Sequence, residues 1–298
     1  MKGVVGIIGL GIMGGAMAKN LVSAGWQVIG YDIDAERCSE LASAGVKIAA
    51  SIGDVAKSAR TIISSLPHPA AAHDMARAIA SSNSSPCVII ETSTLAIDDK
   101  LGVEAVLLQA GHKTIDCPIS GTGAQARTKD IVLYASGDAD IIAGLQPLFA
   151  DFSREAHCVG AFGNGSRMKY VANLLVAIHN VASAEAMVLG MKSGLDPHQV
   201  VKLILAGVGT SRVFELRAPM MADNHYNEAT MKVSTWQKDM SVIGQFASSL
   251  GCPTPLFSAT IPIYNSAMAN GLGPADTAAV CSVLETMAAL ERKPMSGQ

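Results

Sequence analysis

Charge is scarce in this chain. Only 16% of its 298 residues are Asp, Glu, Lys or Arg, against 49% hydrophobic residues. The formal net charge is −3 and there is no basic run, so nothing is provided to grip nucleic acid or an anionic membrane. Aromatic residues make up 4%, which leaves the core to Ala, Val, Ile, Leu and Met. The six cysteines, Cys38, Cys87, Cys117, Cys158, Cys252 and Cys281, form no C-x-x-C and do not cluster with His. That excludes a recognisable metal site or disulfide framework and fits buried free thiols in a reducing compartment. His179, in an apolar stretch, reads as a core or interface residue. No apolar segment reads as long and unbroken enough to span a bilayer. The first strand begins so near residue 1 that no cleaved leader is expected, and the expected location is cytoplasmic. Few charges on so apolar a chain point to surface hidden between subunits, hence a homodimer or homotetramer.

What the chain has is glycine in a telling place. Val4-Val5-Gly6-Ile7-Ile8 reads as a buried strand, Gly9-Leu10-Gly11-Ile12-Met13-Gly14 follows at once, and Ala16, Met17, Leu21 and Val22 then show helical spacing. A Gly-x-Gly-x-x-Gly at a strand-to-helix turn has a physical role. Gly9 allows the tight turn, Gly11 lets backbone approach a pyrophosphate, and Gly14 lets helix and strand pack closely. The helix N-terminus then offers N–H groups and a partial positive charge to phosphates. A second strand, Gln27–Tyr31, ends in Asp32, about twenty residues beyond the glycines, where a carboxylate accepts from ribose hydroxyls and repels a 2′-phosphate. No Arg follows directly; Ile33 and Asp34 do, and Arg37 reads as a solvated helix residue. The expected cofactor is NAD, with NADP less favoured.

Up to about residue 162 strands alternate with helices, which implies a doubly wound parallel sheet of the Rossmann kind. Ligands of such sheets lie beyond the carboxyl ends of the strands, where Asp32, Leu66-Pro67, Ser93-Thr94 and Ser120-Gly121 fall. The strand Lys113–Ile119 reads as continuous. From Gly163 the β pattern stops. Ser166–Ser193 reads as one long apolar helix ending at Gly194, and further helices follow from Pro197. The expected organisation is a dinucleotide-binding domain over 1–162 and an all-α domain over 163–298 with a spine helix, closed by a polar tail after Glu291.

Three constellations could carry chemistry. Lys169 and Asn173 are four residues apart on the spine, so they share a face that Asn180 continues; burying such groups without partners would be costly. Lys238-Asp239 is an ion pair in another apolar helix. Asp116-Cys117-Pro118-Ile119-Ser120-Gly121-Thr122-Gly123 runs from a strand end into a Gly-rich loop whose hydroxyls and N–H groups suit a carboxylate.

Together and in this order, these blocks resemble the β-hydroxyacid dehydrogenase family over nearly the whole chain. Gly9, Gly11 and Gly14 match its fingerprint, Asp116 to Thr122 its Asp-x-Pro-Val-Ser-Gly-Gly loop, Gly165, Lys169 and Asn173 its Gly-x-x-x-Lys-x-x-x-Asn signature, and Lys238-Asp239 its late Lys-Asp pair. The resemblance implies an NAD-dependent oxidoreductase acting on a small 3-hydroxy acid, with Lys169 as general acid/base. It also implies substrate contacts at Ser120, Gly121, Thr122 and Asn173. The cofactor contacts it implies are Gly9, Leu10, Gly11, Ile12, Met13, Gly14, Asp32, Leu66, Pro67, Ser93, Thr94 and Lys238. Thr122 replaces the second loop glycine, and Gln125 and Lys129 stand where glycines are more usual, which bears on the substrate and not on the reaction. The segment Gly273–Val280 looks most like the sugar-acid, threonate branch. The alternatives are a reductase of a small semialdehyde (2-hydroxy-3-oxopropionate, succinic semialdehyde or glyoxylate type), an imine reductase, or a non-catalytic cofactor-binding module. The last two typically lack the lysine.

Overall fold

The computed structural model describes residues 2–292; residues 293–298, most of the polar tail, lie outside the described residues. In chain order the first elements are β1 (Val4–Ile8), α1 (Ile12–Ser23), β2 (Gln27–Tyr31), α2 (Ala35–Ser43), β3 (Lys47–Ile48), α3 (Ile52–Ser58), β4 (Thr61–Ser64) and α4 (Pro69–Ala80). Then come β5 (Val88–Glu91), α5 (Ile97–Gln109), β6 (Lys113–Asp116), β7 (Ile119–Ser120), α6 (Gly123–Arg127), β8 (Val132–Ala135), α7 (Ala139–Phe149) and β9 (Glu155–Cys158). The rest is helical: α8 (Asn164–Lys192), α9 (Pro197–Leu205), α10 (Arg212–Asp223), α11 (Val233–Ser249), α12 (Pro255–Ala269), a 3-10 turn Thr277–Ala279 and α13 (Val280–Met287).

Six strands form one parallel sheet in the order β3-β2-β1-β4-β5-β6. Its central strands are apolar on both faces because both faces are covered. Ile7, Ile63, Ile90 and Ile115 pack into one buried cluster with Met17, Leu21 and Phe149. Their neighbours Ile8, Ile62 and Ile89 pack into another with Met75, Ile79 and Leu107. Each such side chain contributes about 1.5–3 kcal/mol by leaving water.

One sequence expectation is corrected. Lys113–Ile119 is not a single strand, and the strands after it do not continue the main sheet. Pro118 has no N–H to offer a ladder, the chain breaks at Cys117-Pro118, and β7, β8 and β9 form a separate sheet in which β7 and β8 are antiparallel. The two sheets meet at a bridge between Asp116 and Ser136.

The chain divides into two compact units between Tyr170 and Val171. The first two turns of α8, with Lys169, therefore belong to the unit that holds the sheets. A second correction concerns this helix. With a mean hydropathy of 1.6 over its most apolar 18 residues, it is long and apolar enough to cross a membrane by length and composition, which the sequence reading did not expect. Its Asn173 and Asn180 are nevertheless hydrogen-bonded within the protein. Within the second unit, Asn173 Nδ2 donates to Asp239 Oδ2 at 3.0 Å, and Asn180 Nδ2 donates to the Tyr264 hydroxyl and the Thr277 carbonyl, both at 2.9 Å.

The second unit is organised around buried Asp276. Its carboxylate accepts from Thr230 N–H and Oγ1, Met231 N–H and Ala278 N–H, and faces Arg217 at 3.4 Å. Burial works against the anion, but Arg217 and the N–H donors outweigh it and hold the carboxyl below its usual range. All six cysteines are free; Cys87, Cys117 and Cys281 are buried as expected, whereas Cys158 and Cys252 are exposed.

Candidate active site

At the carboxyl end of β1 the chain turns with Gly9 at φ +91°, and a Cβ there would stand 2.2 Å from the Ser65 carbonyl oxygen. Neither the conformation nor the space admits a side chain. A Cβ on Gly14 would lie 1.8 Å from the Gly9 carbonyl oxygen, so helix and strand touch backbone to backbone. Gly11 is the N-cap of α1 and supplies no capping side chain, and the first turn has no acidic residue. Its N–H groups and dipole are thus turned to an outside anion.

Asp32 closes the other side of the turn. Its Oδ2 accepts the Leu10 N–H at 2.6 Å and its Oδ1 the Asp34 N–H at 2.9 Å, which leaves a lone pair on each oxygen for ribose hydroxyls. Arg37 is exposed, as expected of a solvated helix residue, and its guanidinium also lies over Gly11. Its Nη1 would be 2.8 Å from a Cβ on Gly11, and its Nε faces Asp34 at 3.3 Å. A glycine cradle that a single Cβ would fill, an uncapped helix start and a strand-end carboxylate together fit a dinucleotide.

The neighbouring strand ends bring the other expected cofactor residues alongside. Leu66 N–H donates to Ser93 Oγ at 2.8 Å, and Ser93 N–H donates to Glu91 Oε1 at 3.0 Å. The Leu66-Pro67 and Ser93-Thr94 segments are therefore braced against each other. Ile12 and Met13 open α1, and Ile12 is two-thirds exposed. Gly123 approaches it so closely that a Cβ would come within 2.2 Å of Ile12 Cγ2. That contact sets the loop Ser120–Thr122 beside the glycine turn.

In this loop Ser120 ends β7 and Gly121 adopts φ +143°, packed on Ile131. Thr122 does something the sequence did not suggest: it caps α6 through a capping box. Its N–H donates to Gln125 Oε1 at 3.0 Å, and its hydroxyl accepts from the Gln125 N–H at 3.4 Å. The loop's one added hydroxyl is thus engaged locally, and Gln125 in turn donates to Asp130 at 3.0 Å.

Lys169 is 8% exposed and lies one turn after Ser166, whose N–H and hydroxyl donate to Asp116 at 2.8 and 2.7 Å. In the second unit Asn173 is bound to Asp239, and Lys238 lies 3.7 Å from the same carboxylate with its side chain one-third exposed.

Sequence reasoning missed a buried ionic group under these segments. Lys100, on α5, is 1% exposed; its ammonium pairs with Glu91 and, at 3.1 Å, with Asp116. Burial disfavours the ammonium, but the two carboxylates outweigh it and hold its pKa above the usual lysine range. The signal was present: Lys100 shares the buried stripe of α5 with Val103 and Leu107, where a lysine needs partners.

Two family models match the chain. One, the NAD binding domain of 6-phosphogluconate dehydrogenase, covers residues 4–162. The other, the NAD-binding of NADP-dependent 3-hydroxyisobutyrate dehydrogenase, covers 163–284. Mitochondrial 3-hydroxyisobutyrate dehydrogenase of Homo sapiens is 30% identical over 94% of this chain and 86% of its own length. Glyoxylate/succinic semialdehyde reductase 2 of Arabidopsis thaliana is 27% identical over 94% of this chain and 79% of its own. Among solved structures, Mycobacterium tuberculosis 3-hydroxyisobutyrate dehydrogenase with L-serine superposes with a TM-score of 0.86 at 25% identity, covering 95% of this chain and 99% of that one.

The closeness of Gly14 to Gly9 yields a prediction. Gly14→Ala must push α1 off β1 and should weaken NADH binding, followed by nucleotide fluorescence, by more than about tenfold, ~1.4 kcal/mol. Gly144→Ala, where a Cβ meets nothing within 4 Å, should leave binding unchanged. Equal binding by both variants would show that the contact is not needed.

Proposed function

Because the chain belongs to the β-hydroxyacid dehydrogenase family, we propose that it oxidises a small 3-hydroxy acid with NAD, with Lys169 as the general acid/base. Its coarser character is plain: a pyridine-nucleotide-dependent oxidoreductase acting on CH–OH donors. The observation that carries the finer reading is Lys169, a buried lysine on a helix start bound to the end of β6, in the sheet whose β1 and β2 ends form the dinucleotide cradle.

The nicotinamide supplies the hydride acceptor when bound. The chain's residues do the rest. Ser120 and the N–H groups around Gly121 present donors to the substrate carboxylate. Thr122 shapes that loop through its capping box, whatever contact it also makes with substrate. The Lys169 amine takes the hydroxyl proton as the carbinol carbon is oxidised, and returns it to the carbonyl in the reverse direction. Asn173 is the second polar group on the same helix face, one turn on, and Asp239 fixes its amide. Lys238 is assigned to the nicotinamide end of the cofactor.

NAD is favoured over NADP by Asp32, whose carboxylate opposes a 2′-phosphate, and by the pairing of Arg37 with Asp34. Among substrates, the segment Gly273–Val280 favours a sugar acid of the threonate type. The Arabidopsis relative favours the second reading, reduction of a small semialdehyde, which runs the same proton transfer backwards. A homodimer or homotetramer in the cytoplasm completes the proposal. Its support is the apolar stripe of Val171, Leu175 and Leu189 on α8, which are 53%, 48% and 72% exposed.

Four experiments test these assignments. NAD reduction should be screened over threonate, erythronate, glycerate and 3-hydroxyisobutyrate, and NADH oxidation over tartronate semialdehyde, succinic semialdehyde, glyoxylate and cyclic imines. On the best substrate Lys169→Ala should cut turnover by about 10²–10⁴-fold while NADH binding stays within about threefold; retained turnover would sink the lysine. Asp32→Arg should shift the kcat/KM ratio toward NADP, and no shift would remove Asp32 from cofactor choice. Sedimentation velocity of the full chain should give a dimer or tetramer, and a monomer at micromolar concentration would refute the stripe as an interface.

A further inference from the structure

Three ionisable groups lie wholly buried beneath the strand ends, and none of them touches solvent. Glu91 ends β5 and Asp116 ends β6, side by side in the register of two parallel strands. Both are 0% exposed. Two neighbouring carboxylates in a low dielectric repel strongly, and Lys100 stands between them, paired with each. Its Nζ also donates to the Glu91 carbonyl at 3.4 Å. The second negative charge is met by the start of α8. Ser166 N–H and Oγ donate to Asp116, and the helix dipole favours an anion there.

Ion groups of this kind are poor devices for stability alone, since an apolar replacement of the same volume is often neutral or better. What this one has is connections. On one side, Glu91 Oε1 takes the Ser93 N–H and Ser93 Oγ takes the Leu66 N–H. Lys100 is thereby joined to both segments assigned to the cofactor. On the other side, Asp116 takes Ser166, and Ser136 Oγ donates to Asp116 Oδ2 at 3.1 Å while accepting the Gly165 N–H at 2.9 Å. Gly165 is pressed against the Tyr134 carbonyl so closely that a Cβ would be 2.2 Å away. The helix start is thus clamped from two directions, and Lys169 follows three residues after Ser166.

We propose that Lys100 is a positioning residue for the reaction: through Glu91 it holds the Leu66 and Ser93 segments, and through Asp116 it holds the first turn of α8, so that cofactor and Lys169 are set from one buried charge. The proposal rests on Lys169 as the catalyst. It adds a residue that touches neither substrate nor cofactor, on the buried stripe of α5.

The test uses the full chain and two variants, Lys100→Met and Glu91→Gln/Lys100→Met. The single variant leaves two facing carboxylates and should lose stability. The double variant removes the repulsion and should regain most of it, which keeps the test alive where the single variant does not fold. In the double variant, amide hydrogen exchange should quicken by about tenfold or more at Leu66, Ser93 and Gly165–Lys169 together, ~1.4 kcal/mol of local opening, while β2 stays protected. On the best substrate of the panel its kcat should fall at least tenfold with KM for NAD changed less than threefold. In the Lys169→Ala background the same double change should have little further effect, because groups acting as a unit are not additive. Recovery of kcat along with stability, exchange confined to α5, or a full extra loss in the Lys169→Ala background would each overturn the proposal. Turnover retained by Lys169→Ala alone would instead overturn the catalytic lysine, while the exchange result would still report whether Lys100 links the two segments.

Discussion

The start of α8, which carries Lys169, is held in the first unit by one buried carboxylate, Asp116. It ends β6, is fully buried, and receives Lys100 from α5, Ser136 from the end of β8 and Ser166 from α8. A helix start needs partners for its free N–H groups. Here two of them go to side chains earlier in the chain, the Gly165 N–H to Ser136 and the Ser166 N–H to Asp116. Those bonds tie the first turns of α8 to the strand ends, and these turns fall within the first unit. A catalytic group carried there inherits the rigidity of the sheet, which a loop would not give.

A second constraint, steric rather than electrostatic, governs the cofactor side. The Gly9–Gly14 contact leaves no room for one added carbon, and Ser65 blocks Gly9 in the same way. Gly123 obeys the same rule against Ile12. These close approaches hold the pyrophosphate turn and the Ser120–Thr122 loop in one arrangement without any ionic bond between them. The ionic and the steric devices converge at the ends of β1, β4, β5 and β6, where an open α/β sheet presents its ligand site.

Much of this was legible in the sequence because the signals are local. The glycine turn, Asp32 at the end of β2 and the spine helix each follow from neighbours within a few turns of chain, and the spine's bounds differ from expectation by only a residue or two. What was not legible depends on contacts distant in sequence. Lys100 reads as a solvated helix lysine unless its place on the stripe with Val103 and Leu107 is weighed, and its partners are 9 and 16 residues away on two strands. The antiparallel pairing of β7 with β8 follows from Pro118 ending a ladder, a local fact whose topological result is not local. Arg37 is solvated as expected, yet its guanidinium also lies by Gly11, a contact across 26 residues that no local signal announces.

Thr122 shows why motif departures must be read through hydrogen bonds. As a substitution for glycine it seemed to add a hydroxyl to the substrate loop. Its N–H and hydroxyl are bound to Gln125, itself one of the departures, and Gln125 is bound onward to Asp130, which faces Arg154. Lys129 takes φ +62° where the chain leaves this turn, a conformation glycine would adopt more cheaply. Three replacements of glycine therefore belong to one local solution. Flexibility that glycines would confer is exchanged for a capped helix α6 tied to its own loop. The Thr122 hydroxyl is thus engaged within its own loop, so in the proposed reaction the space around Ser120 and Gly121, and not an extra donor at Thr122, would distinguish one acid from another.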